Sequence, residues 1–256
     1  MQAMLSISKE TFLRLKRDRI FVPTVIFGIL FSLFSSVVSD WGIEEFKKIL
    51  YDFGTLGYEL VGVTIAIFWG IKSISDSEGE GSLEVQLASP ISRSTWLIGK
   101  YVGLVYGLLI ISLILILFWQ IILWHYDYSV FQPYEMAVFL LITLEWCVIG
   151  AAAFFLASMS SYPVALFSSI ILWICGLISE PIARSLPAST QPTTKMVVEK
   201  FAEYWNLSKF HIVDLINQNV LLDSKDMILR SLYGLTLIGL LLAGACVLFR
   251  NKDLSA

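Results

Sequence analysis

The stretch YVGLVYGLLIISLILILFWQIILW, Tyr101 to Trp124, holds no charged residue and is long enough as a helix to cross a hydrocarbon core about 30 Å thick. A water-soluble helix of this length would keep a polar face, and none exists here. Five more apolar runs of spanning length flank it, near Phe21 to Val38, Phe53 to Ile71, Tyr134 to Ala157, Pro163 to Ser179 and Ser231 to Phe249. The composition agrees: of 256 residues, 57% are hydrophobic and 15% charged, and the mean hydropathy is +0.75. The expected fold is an all-α polytopic membrane protein with six transmembrane helices in one permease-like domain over residues 1–256.

Six spans place both termini on one side of the membrane. Lys9, Arg14, Lys16, Arg17 and Arg19 precede the first span and assign that side to the cytoplasm, with Arg250 and Lys252 following the last. The first span reads as an uncleaved helix, because its basic flank and apolar run both exceed those of a signal peptide. Before it, Met4, Leu5, Ser8, Phe12 and Leu15 recur at helical spacing, so residues 1–20 predict a helix in the cytoplasmic interface, its apolar stripe in the acyl boundary and its basic residues near anionic headgroups; a solvated basic tail is the alternative.

The net charge of −3 argues against a nucleic-acid partner, which would need a basic face. Cys147, Cys175 and Cys246 fall inside spans as small apolar residues, without disulfide or metal-site spacing. No phosphate-binding glycine loop occurs, no His-x-x-x-His pair offers a metal site, and His125 and His211 both fall in outward loops. No catalytic group and no metal are therefore expected in this chain. Glu59 and Glu145 lie within spans. Glu59 sits near the outer end of its span, within reach of water, and a structural role is preferred for it. Glu145 lies near mid-membrane, where an unpaired charge costs about 2.5–3.5 kcal/mol, and should face the bundle interior. A substrate contact or relay and a protonated carboxyl bonded to a neighbouring helix are both open for Glu145.

Two segments depart from the lipid-soluble pattern. Residues 180–230 are too long for a plain connection. Pro181, Pro187 and Pro192 are expected to interrupt helix there, after which Phe201, Trp205 and Phe210, among other apolar residues at helical spacing, predict amphipathic helices that cap the bundle or meet an extracytoplasmic partner. The second polar segment, residues 72–100, contains GEGSLEVQLASPISRSTWLIGK. Ser82 caps a helix of about seven residues, Glu84 occupies its first turn, Leu83 and Leu87 stack four apart, and Pro90 ends it. So short a helix is stable only when docked. Gly99, Gly103 and Gly107 then form a small-residue face on the third span for close packing of a helix, by default one of the same chain.

This segment resembles the cytoplasmic loop of the type 2 exporter class of ATP-binding cassette (ABC) transporter permeases. The matching positions are Glu80, Gly81, Ser82, Leu83, Glu84, Pro90, Ser92, Arg93, Gly99 and Lys100, and the family's terminal Phe-Arg-x-x-Asp matches Phe249, Arg250 and Asp253. The resemblance implies that Glu80 to Arg93, with Leu87 on the same docking face, form a coupling helix seated on a separate cytoplasmic ATPase subunit. It further implies that ATP and Mg are bound by that subunit and not by this chain, and that a second permease copy, as a homodimer, completes the pathway. The expected location is a bacterial inner membrane, and the expected function export of a substrate. A permease-like mechanotransmitter driving an external partner is the alternative. An intramembrane enzyme would need a nucleophile or metal set that the sequence does not offer.

Overall fold

The computed structural model describes residues 2–39, 46–79, 92–187, 192–212 and 223–250. The described residues are helical almost throughout, and no strand occurs among them. The helices are α1 (Gln2–Lys16), α2 (Phe21–Ser39), α3 (Phe46–Gly79), α4 (Arg93–His125), α5 (Pro133–Met159), α6 (Tyr162–Ser185), α7 (Pro192–Tyr204) and α8 (Ser224–Arg250), with a 3-10 turn at Leu207–Phe210 between the last two. Six of them, α2 to α6 and α8, are long and apolar enough to cross a membrane. Several exceed their apolar runs by a turn or more, because a helix satisfies its own backbone and continues past the hydrocarbon boundary at no penalty.

The centre of the bundle is the pair α3 and α5, the two most buried of the spans. Their closeness follows from missing side chains. A Cβ on Gly62 would collide with the Trp146 indole, and one on Gly70 would meet the Gly150 carbonyl oxygen at 2.9 Å. About one turn before the Gly62 contact, Tyr58 of α3 lies within 2.7 Å of both Ser112 of α4 and Thr143 of α5, and those two are 2.9 Å from each other. Three helices thus share one buried hydroxyl triangle. Towards the end where α5 starts, the Tyr51 hydroxyl donates to Glu135, a buried acid in the first turn of α5.

At the end of the bundle that carries α1 and the C-terminal end of α8, here the terminal end, α1 lies along the start of α4. The glycine face explains why. A Cβ on Gly103 would sit 2.6 Å from the Ser8 carbonyl oxygen and 2.8 Å from the Thr11 Cβ, and one on Gly99 would sit 3.1 Å from Ile7. Gly107, one turn on, faces the Trp69 ring of α3 instead. The buried residues of α1 are accordingly Ile7, Ser8, Thr11 and Leu15, and they pack on protein. This corrects the expected acyl-facing stripe, of which Ser8 and Leu15 are buried while Leu5 is half-exposed. A compact turn joins α1 to α2: Asp18 accepts from the Ile20 amide and pairs with Lys72 of α3 at 2.7 Å.

Substituting Gly103 by Ala should lower thermal stability by about 1–3 kcal/mol, since the new methyl must push a backbone oxygen aside. A Cβ added at Gly239 would meet nothing within 4 Å, so Gly239→Ala is the matched control and should leave unfolding in detergent unchanged. Equal effects at the two sites would refute the packing argument.

Candidate functional site

The sequence-derived coupling residues Glu80, Gly81, Ser82, Leu83, Glu84, Leu87 and Pro90 lie outside the described residues. Their flanks are described. Ser92 caps α4, its hydroxyl accepting from the Thr95 amide at 3.2 Å. Arg93 donates to the Phe249 carbonyl oxygen at 3.3 Å, and the Phe249 ring stacks on Trp96 with centroids 5.4 Å apart. Two sequence motifs more than 150 residues apart therefore meet at one helix start. Lys100, buried in the same region, places its ammonium 5.1 Å from the Trp96 ring centre. It also lines a cleft of about 540 Å³ with Arg14, Arg17, Arg19 and Lys72, where Asp18 is the acidic member.

The opposite, distal end is organised by the segment after α6. Pro181 does not stop this helix, contrary to the sequence expectation: α6 runs through it to Ser185. Proline removes one amide donor, which frees the carbonyl four residues earlier. That carbonyl belongs to Leu177, and the Ser208 hydroxyl donates to it at 2.8 Å. The 3-10 turn thus supplies what the proline withholds. Around it, the Trp205 indole donates to the Leu172 carbonyl at 2.9 Å, the Asn206 amide to Glu180 at 2.8 Å, and Leu207 fills the notch left by Gly176. Asn206, which opens the formal glycosylation triplet Asn-Leu-Ser, is thereby tied into the fold, with its side-chain amide bonded and the residue buried.

The expectation for Phe201, Trp205 and Phe210 divides. Phe210 is fully buried and belongs to the core, and Trp205 is anchored on α6. Phe201 is 40% exposed on α7, where Met196, Val197 and Tyr204 are exposed too. Residues Trp205 to Ile212 therefore do not lie on a surface; they enter the bundle. Non-helical backbone is tolerated at such a place only where protein surrounds it.

The entering segment ends at a charged cluster. His211 Nε2 lies 2.8 Å from Glu145 Oε2 and 3.5 Å from Glu59 Oε1. The two carboxylates stand on the paired helices α3 and α5, roughly 18–20 Å along each axis from its start by the helical rise per residue. The water-accessible position expected for Glu59 is corrected: it is 5% exposed, Glu145 is fully buried, and both face the same imidazole. The reason is the Gly62 contact, which draws α3 against α5 and turns Glu59 inward. Burial works against a charge on His211, but the hydrogen bond to Glu145 and the fields of Glu145 and Glu59 outweigh it, and the pKa rises to about 9. Protonated, His211 neutralises part of an acidic pair that would otherwise be costly inside the bundle.

The sequence identified both acids but not their partner. His211 lies 66 residues from Glu145 and in a segment predicted to be outside the spans. Only an unpaired intramembrane acid and a histidine in an over-long apolar loop could have hinted at the pairing. Glu135 and the Tyr58, Ser112 and Thr143 triangle also escaped that reading, since isolated hydroxyls in apolar runs give no periodic signal.

Six helices of spanning length, a short N-terminal helix on a glycine face and a polar cluster closed by an inward-turning segment define an integral membrane protein. A family model for ABC-2 family transporter protein matches residues 4–254, and the chain belongs to that family. It is a membrane permease subunit of an ABC transporter, a family whose members generally pair with an ATPase subunit. No curated protein matches it as a relative.

The raised pKa of His211 makes docking of the distal segment depend on pH. Its folded value, about 9, lies above the ordinary 6.5, so the contribution is complete below pH 6.5 and is lost as the pH climbs through 9. Limited proteolysis of residues 192–212 in nanodiscs should accelerate above pH 9, and the acceleration should vanish in His211→Gln. In the same assay at neutral pH, Glu145→Leu should expose the segment, at a cost on the order of 3–5 kcal/mol for breaking a buried pair, with Glu145→Gln milder. Trp205→Ser should destabilise by about 3 kcal/mol, whereas Phe201→Ser should change unfolding by under about 0.5 kcal/mol.

Proposed function

We propose that this chain is the membrane half of an ATP-driven exporter, working as a pair of copies with a separate ATPase subunit that binds ATP and Mg. The observation that carries the reading is the way the terminal end is fastened. The flanks of segment 72–100 are α3 and α4; α4 is bound to α1 through Gly99 and Gly103 and to α8 through Arg93 and Trp96. A push on the coupling helix would therefore move four helices together. The five basic residues before Phe21 favour a cytoplasmic setting for this end, in a bacterial inner membrane, and the basic cleft beside Lys100 suits anionic headgroups there. ATP binding would draw the two coupling helices together, and the α3–α5 core would carry the displacement towards the distal end.

Leu83→Asp tests the coupling role, since it places a charge on the face proposed to be desolvated in the ATPase cleft. Membrane insertion should be unchanged, co-purification with the ATPase should fall at least tenfold, and transport should be lost. Undiminished recovery with normal transport would reject the reading. The mechanotransmitter alternative is favoured by one feature, the exposed Met196, Val197, Phe201 and Tyr204 on α7, an apolar face at the distal end suited to a partner outside the membrane. Phe201→Ser should then abolish capture of that partner while leaving the ATPase pairing intact.

A further inference from the structure

We propose that Glu59, Glu145 and His211 form a binding site for a divalent transition-metal ion of the zinc class, which ties the distal segment to the α3–α5 core. The donor atoms of the three side chains all lie within 4.8 Å of one another. They come from three separate elements, so the grouping is a product of the fold and not of local sequence. Glu59 Oε1 and Glu145 Oε1 are buried without a hydrogen-bond partner among the described residues, and Glu59 Oε1 is the atom that faces the imidazole. Two buried carboxylate oxygens that make no close hydrogen bond, one of them with the imidazole 3.5 Å away, are an expensive arrangement. A cation satisfies them.

The two separations from the imidazole suit one ion class. Ligand bonds of about 2.0–2.2 Å in a tetrahedral site place neighbouring donor atoms about 3.3–3.5 Å apart. The 3.5 Å between His211 Nε2 and Glu59 Oε1 already has that value, and the 2.8 Å to Glu145 Oε2 must open by about half an ångström. Charge is balanced as well: two carboxylates and a neutral imidazole cancel a divalent ion, and the proton on Nε2 leaves to solvent as the ion binds. Imidazole selects against magnesium and calcium, which prefer an all-oxygen shell. Three protein ligands leave a fourth position for water. The side chain of His211 is 26% exposed while those of the carboxylates are 7% and 0%, so the ion arrives from the His211 side.

The test uses the purified full chain in nanodiscs, titrated with zinc chloride by calorimetry and followed by thermal unfolding, with magnesium chloride as the comparison. Zinc should bind at one ion per chain, raise the unfolding temperature and slow proteolysis of residues 192–212; magnesium should do none of these. Glu59→Gln is the decisive variant, because Glu59 makes no hydrogen bond to His211 and its loss leaves the Glu145 pair standing. It should weaken zinc binding at least tenfold while leaving metal-free unfolding near that of the unaltered chain. His211→Gln should abolish binding, and His125→Gln, at an exposed histidine, should not. Absence of zinc binding at millimolar concentration, or binding that is indifferent to Glu59→Gln, as it would be at the cysteines, overturns the proposal.

Discussion

The close approach of α3 and α5 is the constraint on which the rest of the bundle depends. Lipid tails are as apolar as leucine, so spanning helices gain little from hiding apolar surface and associate through packing and polar contacts. Gly62 admits the Trp146 indole and Gly70 admits the Gly150 carbonyl. With the backbones this near, Tyr58 reaches Thr143, and the next residue on α3, Glu59, is aimed at Glu145's side of the interface. A larger residue at position 62 would separate both pairs. The polar interior is thus a consequence of two missing side chains.

The two ends of the molecule are held by different sets of contacts. At the terminal end α1 sits on a glycine face, Phe249 stacks on Trp96 and accepts from Arg93, and Asp18 pairs with Lys72 beside a basic cleft. At the distal end the fastening is directional, through a proline-freed carbonyl, an indole donor and a buried ion pair. Those contacts are made or broken.

Element existence was legible wherever one physical requirement dominated. A span needs about 20 apolar residues, and six runs met that need; Gly99 and Gly103 announced a close helix neighbour, which α1 provides. What the sequence hid was decided by contacts between distant residues. Pro181 reads as a helix stop because local reasoning counts the lost hydrogen bond, yet Ser208 restores a donor from 27 positions later in the chain. Phe210 and Trp205 read as surface because their segment is amphipathic and outside the spans; only the notch at Gly176 and the partner for Glu145 show that the segment turns inward. The acids themselves were found because charge inside an apolar run stands out, and their histidine was missed because it does not.

The position of His211 in the chain has a consequence for biogenesis. Synthesis delivers α3 and α5 to the bilayer, with Glu59 and Glu145, well before residue 211 leaves the ribosome. During that interval the two helices can pair through their glycines, but their carboxylates have no imidazole. The core then lacks both Phe210 and the imidazole, and the distal segment supplies them after α6 has been made. Nascent chains from which residue 211 has not yet emerged therefore carry two buried carboxylates without the imidazole that pairs them in the finished fold.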